Sequence, residues 1–322
     1  MKIFMACPAP PRSLKGNRVT AVRWARILQG LGHRLTIGQD FDGQPCDLMV
    51  ALHARKSHEA LRHYRQRQPH GPLVLCLTGT DLYHDIRTSK KAQRSLELAD
   101  RLVLLQPHGI GALPPRLRKK ARVVIQSAAP VAARRAGGVN PFDVAVLGHL
   151  RAVKDPFRAA LALRHVPAEA PIRVLQLGLA LSPAMAARAR QLMKKDRRYR
   201  WLGPVPYGKA RRILARSRLM VISSKLEGGA NVISEALADG VPILASRMSG
   251  NIGLLGADYP GYFPVGDARA LARLLVRAAS DAEFYARLKK WCVGLAAMVQ
   301  PKREREAWEK LLEEFEDGER GT

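Results

Sequence analysis

Two glutamates eight positions apart, Glu227 and Glu235, flank a glycine pair and an asparagine in SSKLEGGANVISEALADGVPIL (223–244). Ionised carboxylates only accept hydrogen bonds, so two of them in one site suit a ligand rich in hydroxyls. The apolar run LMVISS (219–224) reads as a strand, and a helix is expected to open near Ala230. On that helix Asn231 and Glu235 share a face, while Glu227 stays in the loop at its mouth. Gly228 and Gly229 let a ligand approach the amides that open the helix, where the backbone favours anions. One carboxylate then serves sugar hydroxyls and the other a ribose diol, with a diphosphate near the glycines. A helix with solvent-facing glutamates is the plain structural alternative; it leaves the Gly-Gly pair, the spacing and the GVP after the helix unexplained.

Two further loops follow strand-like runs. In PAPPRSLKGNRVT (8–20), Gly16 removes bulk, Asn17 is expected to cap a helix, and Lys15 and Arg18 bring positive charge to its N-terminus, as an anion site requires. In TGTDLYHD (78–85), Thr78, Thr80 and Asp81 surround Gly79 and suit a polyol or phosphate, although the same residue types form an ordinary Asx-type turn. His53 also ends a strand and reads as a satisfied histidine rather than a base. Asp40 and Asp42 have a metal-site spacing, yet Gly38 and Gly43 flank them and a turn is the better reading. No metal is expected.

The elements that must position these groups alternate between strand and helix. Apolar runs at 2–7, 34–38, 47–54, 72–79, 101–106 and 122–127 are separated by helical patterns, and a second series begins at 143–149 and continues through 172–179, 219–224 and 242–247. This predicts an α/β protein of two doubly wound Rossmann-like domains facing a cleft. The basic, Gly-containing segment ARRAGGVNP (133–141) is the expected linker. Expected domains are 1–136, 137–300 and a C-terminal helix with acidic tail at 301–322. That last segment reads as a separate surface helix, long enough to pack back on the N-terminal domain.

The chain has 322 residues, and 54 Lys and Arg against 27 Asp and Glu leave a net charge of +27. Such a field attracts nucleic acid, anionic membrane or phosphorylated small molecules without choosing among them. Basic runs such as RLRKKAR (116–122) lack interleaved aromatics for base stacking, so nucleic acid is not expected. No apolar run approaches the roughly 20 residues of a membrane span, and no signal peptide is apparent. The expected location is cytoplasmic, with weak anionic-membrane contact at most. Cys7, Cys46, Cys76 and Cys292 are scattered without metal spacing and are expected to be buried thiols.

The order of these features resembles the B-type glycosyltransferases, family 4, over nearly the whole chain. Glu227 and Glu235 match the family's E-x(7)-E signature, with EGGAN and EALADGVPI in register. The resemblance implies that Glu227 reaches donor-sugar hydroxyls and Glu235 holds the ribose. GHLRAVKD (148–155) matches in part the family's G-R-L-x-x-x-K-G, so Gly148 keeps its place and Lys154 falls on the diphosphate-binding lysine. His149 replaces the usual arginine, and Arg151 is the expected substitute charge.

A narrower likeness lies in PPRSLKGNRVTAVRWARIL, VALHARKS, LTGTDLY and VVIQSAAP, where Gln126-Ser127-Ala128-Ala129-Pro130 replaces the usual NGVD-like segment. Together these resemble the selenosugar synthases of selenoneine biosynthesis. That branch implies UDP-N-acetylglucosamine or UDP-glucose as donor and selenophosphate as acceptor, giving a 1-seleno-sugar, UDP and phosphate. Lys154, Arg151 and Glu227 are then the catalytic candidates. His149, Gly148, Gly228, Gly229, Asn231 and Glu235 are assigned to the donor, and Lys15, Gly16, Asn17, Arg18, Thr78, Gly79, Thr80 and Asp81 to the acceptor. Fixed cations and helix-terminus amides can stabilise the leaving diphosphate, so no cofactor or metal is expected. The alternative is a conventional family 4 transferase with a lipid-linked or polysaccharide acceptor at a membrane surface.

Overall fold

The computed structural model describes residues 1–13, 16–132 and 141–316. The chain divides into two compact units, residues 1–126 with 301–322, and residues 127–300. Apart from Pro141, the expected linker lies outside the described residues, as does Lys15.

The first unit contains β1 (Lys2–Ala6), α1 (Gly16–Gly30), β2 (Arg34–Gly38), β3 (Leu48–Leu52), α2 (His58–Arg67), β4 (Leu73–Leu77), α3 (Ile86–Thr88), α4 (Lys90–Leu98), β5 (Arg101–Leu104) and β6 (Ala121–Val123). Its parallel sheet has the order β2-β1-β3-β4-β5-β6. Every residue of LMVAL in β3 and LVLCL in β4 is buried, as strands covered on both faces require. Order reverses between β1 and β3, where Ala6 pairs with Ala51, so the loops beginning at Cys7 and His53 leave side by side.

The second unit contains β7 (Phe142–Leu147), α5 (Arg158–Ala162), β8 (Ile172–Leu177), α6 (Pro183–Lys195), β9 (Tyr199–Trp201), α7 (Tyr207–Arg216), β10 (Leu219–Ile222), α8 (Asn231–Ala238), β11 (Ile243–Ser246), α9 (Ser249–Leu255), β12 (Tyr262–Phe263), α10 (Ala268–Ser280) and α11 (Ala282–Leu295). Its order is β12-β11-β10-β7-β8-β9, again parallel, with the reversal between β7 and β10. The two Rossmann-like α/β halves read from the sequence are therefore present.

α12 (Pro301–Glu316) packs back on the first unit, as expected, and is thereby part of that unit and not a separate surface element. Trp308 is fully buried edge-on against Trp24 of α1, with ring centroids 5.0 Å apart. The buried Glu304 carboxylate accepts from the Trp24 indole at 2.8 Å and from Arg23 at 3.2 Å. Glu314 receives Arg101 and Arg122, each at 2.5 Å. Trp308→Ala should lower stability by about 3–5 kcal/mol, the scale for emptying a large aromatic site. Urea unfolding checks this, and an unchanged midpoint would mean that α12 adds little to the first unit.

Four of the five basic side chains at 116–122 have internal partners. Arg116 pairs with Glu97, Arg118 donates to the Leu113 carbonyl at 3.2 Å, Lys120 to the Ala99 carbonyl at 2.7 Å, and Arg122 to Glu314. Phe41 is buried between Phe4 and Tyr64, which leaves Asp40 and Asp42 exposed on either side of it. All four cysteines are free and buried. Among the described residues no helix is long and apolar enough to cross a membrane.

Candidate functional site

In a doubly wound sheet, ligands bind beyond the strand ends where the order reverses. In the second unit that point lies between β7 and β10, and Lys154 and Glu227 follow these two strands. Lys154 ends a short 3-10 turn (Ala152–Lys154), and Asp155 closes it in the left-handed region at φ 44°. Glu227 lies in the loop between β10 and α8. The Lys154 ammonium and a Glu227 carboxylate oxygen are ion-paired. The two loops are also stitched by backbone: the Lys225 amide donates to the Val153 carbonyl at 2.8 Å, and the Ser223 hydroxyl to the Asp155 carbonyl at 2.8 Å.

Glu227 is held from behind by residues that sequence reasoning missed. The Ser224 hydroxyl donates to Glu227 Oε1 at 2.6 Å, the Ser246 hydroxyl to the Ser224 carbonyl at 2.6 Å, and the Asn251 amide to the Ser246 carbonyl at 2.8 Å. Gly250, on α9, packs against the Glu227 backbone so closely that a Cβ there would strike the carbonyl. Gly250→Ala should therefore cost about 1–3 kcal/mol, the scale of overpacking, and displace Glu227. Thermal unfolding reads the first effect, and an unchanged midpoint would show that the loop yields without cost.

Beside this pair, β7 and β8 each end in a glycine with positive φ, Gly148 at 144° and Gly178 at 147°. A Cβ on Gly178 would collide with the Gly148 carbonyl, whereas the space around the Gly148 Cβ position is open. The Leu179 amide donates to His149 Nδ1 at 3.3 Å. An accepting Nδ1 carries no proton, which puts the proton of the neutral ring on Nε2. In this arrangement His149 can offer Nε2–H to a ligand, in place of the guanidinium an arginine would supply. Arg151 is exposed just before the Lys154 turn.

α8 begins at Asn231, immediately after Gly228, Gly229 and Ala230. The Asn231 Oδ1 atom is buried without a protein partner, an acceptor with capacity left for a ligand. Glu235 is buried one turn further along, and burial together with its nearby carboxylate raises the pKa of Tyr207 on α7. The structure thus gathers Lys154 with Glu227 in one ion pair, and sets Asn231 and Glu235 on one helix that follows the glycines.

In the first unit the candidates follow β1, β3 and β4. α1 starts at Gly16, two residues before the position expected, so Asn17 lies inside the first turn and does not precede it as a cap. Arg18 reaches the buried Cys7 thiol, whose pKa burial raises despite that guanidinium. Asp81 is fully buried and accepts from the amides of Gly79 at 2.8 Å, Thr78 at 3.0 Å and Ala54 at 3.1 Å. Its carboxylate therefore shapes the loop, and a ligand there would meet Thr78, Gly79 and Thr80 instead. Residues 81–85 form a π-helical turn.

His53 has φ 76°, a strained backbone for a residue with a side chain. Its Nε2 lies 3.3 Å from the Thr80 hydroxyl and 3.8 Å from Asp85. Burial holds the imidazole below its ordinary pKa against the opposing pull of Asp81 and Asp85. Asp85 is itself desolvated, but a 2.9 Å hydrogen bond from Arg55 keeps its carboxyl below the ordinary value. Among the described residues no group of three His, Cys, Asp or Glu side chains is placed to hold a metal ion.

Residues 134–291, most of the second unit, match the family model of the glycosyl transferases group 1. No curated protein matches the chain in sequence. Among solved structures, Anabaena HepE in complex with UDP and glucose is similar at TM-score 0.76 and 16% identity, over 98% of this chain and 100% of that one. Sucrose-phosphate synthase from Thermosynechococcus elongatus is similar at TM-score 0.78 and 16% identity, over 98% and 99% of the two chains. A glycosyltransferase from Rickettsia africae gives TM-score 0.73 at 12% identity, over 100% and 99%. At these identities the likeness is one of fold.

Proposed function

We propose that the chain is a glycosyltransferase that takes a hexose or N-acetylhexosamine from a UDP-sugar, and that its acceptor is selenophosphate. The observation that carries the donor half is the Lys154–Glu227 ion pair at the strand reversal of the second unit. A diphosphate entering there offers Lys154 a stronger anionic partner, and the released Glu227 carboxylate turns to the sugar hydroxyls. Glu235 and Asn231 then take the ribose side, with the Gly228 and Gly229 amides near the phosphates. The family match over this unit and the UDP held by the similarly folded HepE support the same reading.

The acceptor reading rests on the N-terminal segments that resemble selenosugar synthases and on the strand-end groups Arg18, Thr78, Gly79 and Thr80. Selenium of selenophosphate attacks C1 of the sugar as the C1–O bond to UDP breaks, and the bonding pair leaves with UDP. Water then takes the phosphoryl group from selenium, giving the 1-seleno-sugar and phosphate. A polarisable anionic nucleophile needs no general base, as for a thiolate. Lys154, the helix-opening amides and the His149 Nε2–H supply the stabilisation of the leaving diphosphate that a metal would otherwise provide. EDTA should accordingly leave the rate unchanged; loss of activity restored by manganese would overturn the metal-independent mechanism.

The direct test incubates the protein with UDP-N-acetylglucosamine or UDP-glucose and freshly generated selenophosphate, with phosphate and thiophosphate as controls. Mass spectrometry should find a selenium-containing sugar together with UDP. Binding of UDP without such a product would overturn the acceptor assignment and favour a lipid-linked or polysaccharide acceptor.

A further inference from the structure

In the first unit one buried polar side chain at the strand ends is left unused by the proposed mechanism. His53 follows β3 at the strand reversal, is 2% exposed and holds its backbone at φ 76°. Its amide donates to the Cys76 carbonyl at 2.9 Å and its carbonyl accepts from the Ser57 amide at 3.1 Å, so the strained turn is fixed from both sides. The ring is not the satisfied histidine that the sequence suggests, because the buried Nδ1 has no hydrogen-bond partner. Nδ1 lies 4.0 Å from an Asp81 oxygen, and Nε2 lies 3.8 Å from an Asp85 oxygen and 3.3 Å from the Thr80 hydroxyl.

A neutral imidazole carries one proton, so wherever that proton sits, a bare lone pair of the ring faces a carboxylate. Only the imidazolium, with a proton on each nitrogen, suits both sides. Burial opposes that charge and holds the ring below its ordinary pKa, while Asp81 and Asp85 pull upward and Lys56 and Arg55 downward. Both carboxylates are otherwise engaged: Asp81 accepts the amides of Ala54, Thr78 and Gly79, and Asp85 accepts from Arg55 at 2.9 Å and lies 3.3 Å from the exposed His84 ring. Thr80, by contrast, is exposed, and an anion hydrogen-bonded to its hydroxyl stands within about 6 Å of Nε2. A negative charge at that distance favours the protonated ring by about tenfold to a thousandfold.

We propose that His53 is a positioning residue that takes up a proton from water when a phosphate-type anion binds at Thr80, and that its Nε2–H then holds the Thr80 oxygen so that the hydroxyl proton points to the anion. This rests on the acceptor reading of the 78–80 loop. The loop, Thr78-Gly79-Thr80, carries no cation of its own, and the imidazolium behind Thr80 supplies one when the anion is present. Proton uptake makes binding tighten as pH falls from the pKa of the ring in the complex towards that of the free ring, and the gain is lost as pH rises above the former.

Calorimetry with thiophosphate or selenophosphate, at the ordinary histidine pKa of about 6.5 and in two buffers of different ionisation heat, counts the protons taken up by the intact protein. His53→Asn is the variant to compare, because asparagine tolerates a positive φ, with circular dichroism as the control for folding. The wild type should take up about half a proton or more beyond that variant. His53→Asn and Thr80→Val should each weaken the anion by about tenfold, and their combination should weaken it no further than either alone. Equal proton uptake in wild type and His53→Asn would overturn the proposal, since the ring is then not the group that gains the charge. Additive losses would overturn it as well, because His53 would then act independently of Thr80. Unchanged anion affinity in Thr80→Val, or no binding of either anion to the wild type, would mean that the acceptor reading of the loop itself fails, and the proposal with it.

Discussion

Lys154→Ala lowers the transfer rate at saturating donor by about a hundredfold to a thousandfold, the range measured when one preorganised stabiliser of developing charge is removed. Negative charge grows on the leaving diphosphate as the C1–O bond lengthens, and Lys154 is the cation that the end of β7 brings to the strand reversal. Its side chain is only 24% exposed and already paired with Glu227, so its position is set before the donor arrives. The Lys225–Val153 backbone bond is independent of the lysine side chain, so the fold survives the change. Initial-rate measurements read the effect, with circular dichroism as the control for folding. A near-normal rate would move the leaving-group role to Arg151 or to the Nε2–H of His149.

The second large effect is on affinity. Glu235→Ala removes a buried carboxylate assigned to two ribose hydroxyls, and a hydrogen bond to a charged group contributes about 1.5–3 kcal/mol. UDP binding should weaken by about tenfold to a hundredfold, with a smaller effect on turnover once the donor is saturating. Titration calorimetry with UDP separates this change from a catalytic one. Unchanged UDP affinity would remove Glu235 from the donor site.

The candidate site residues were legible because each follows a strand and stands beside glycine or a helix start. Lys154, Glu227, Asn231 and Glu235 could be read in this way, and the parallel sheet places them at the reversal. Their supports could not. Ser224, Ser246, Gly250 and Asn251 come from β10, β11 and α9, and only sheet register and close packing bring them to Glu227. Asp81 offered a ligand-facing carboxylate by residue type, but three nearby amides claim it.

Short strands escaped for a simpler reason. β9 has three residues and β12 two, too few to show a period. The acidic composition of α12 hid its apolar face, where Trp308, Leu311 and Leu312 are buried. Its glutamates answer arginines of the first unit, which also explains part of the charge imbalance along the chain.

The proposed exchange of partners at Lys154 is the centre of the account, and a structure of the protein with bound UDP-glucose or UDP-N-acetylglucosamine tests it most directly. The account predicts the Lys154 ammonium on the diphosphate, the Glu227 carboxylate on sugar hydroxyls and Glu235 on the ribose. A nucleotide bound elsewhere, with the Lys154–Glu227 pair intact, would contradict it.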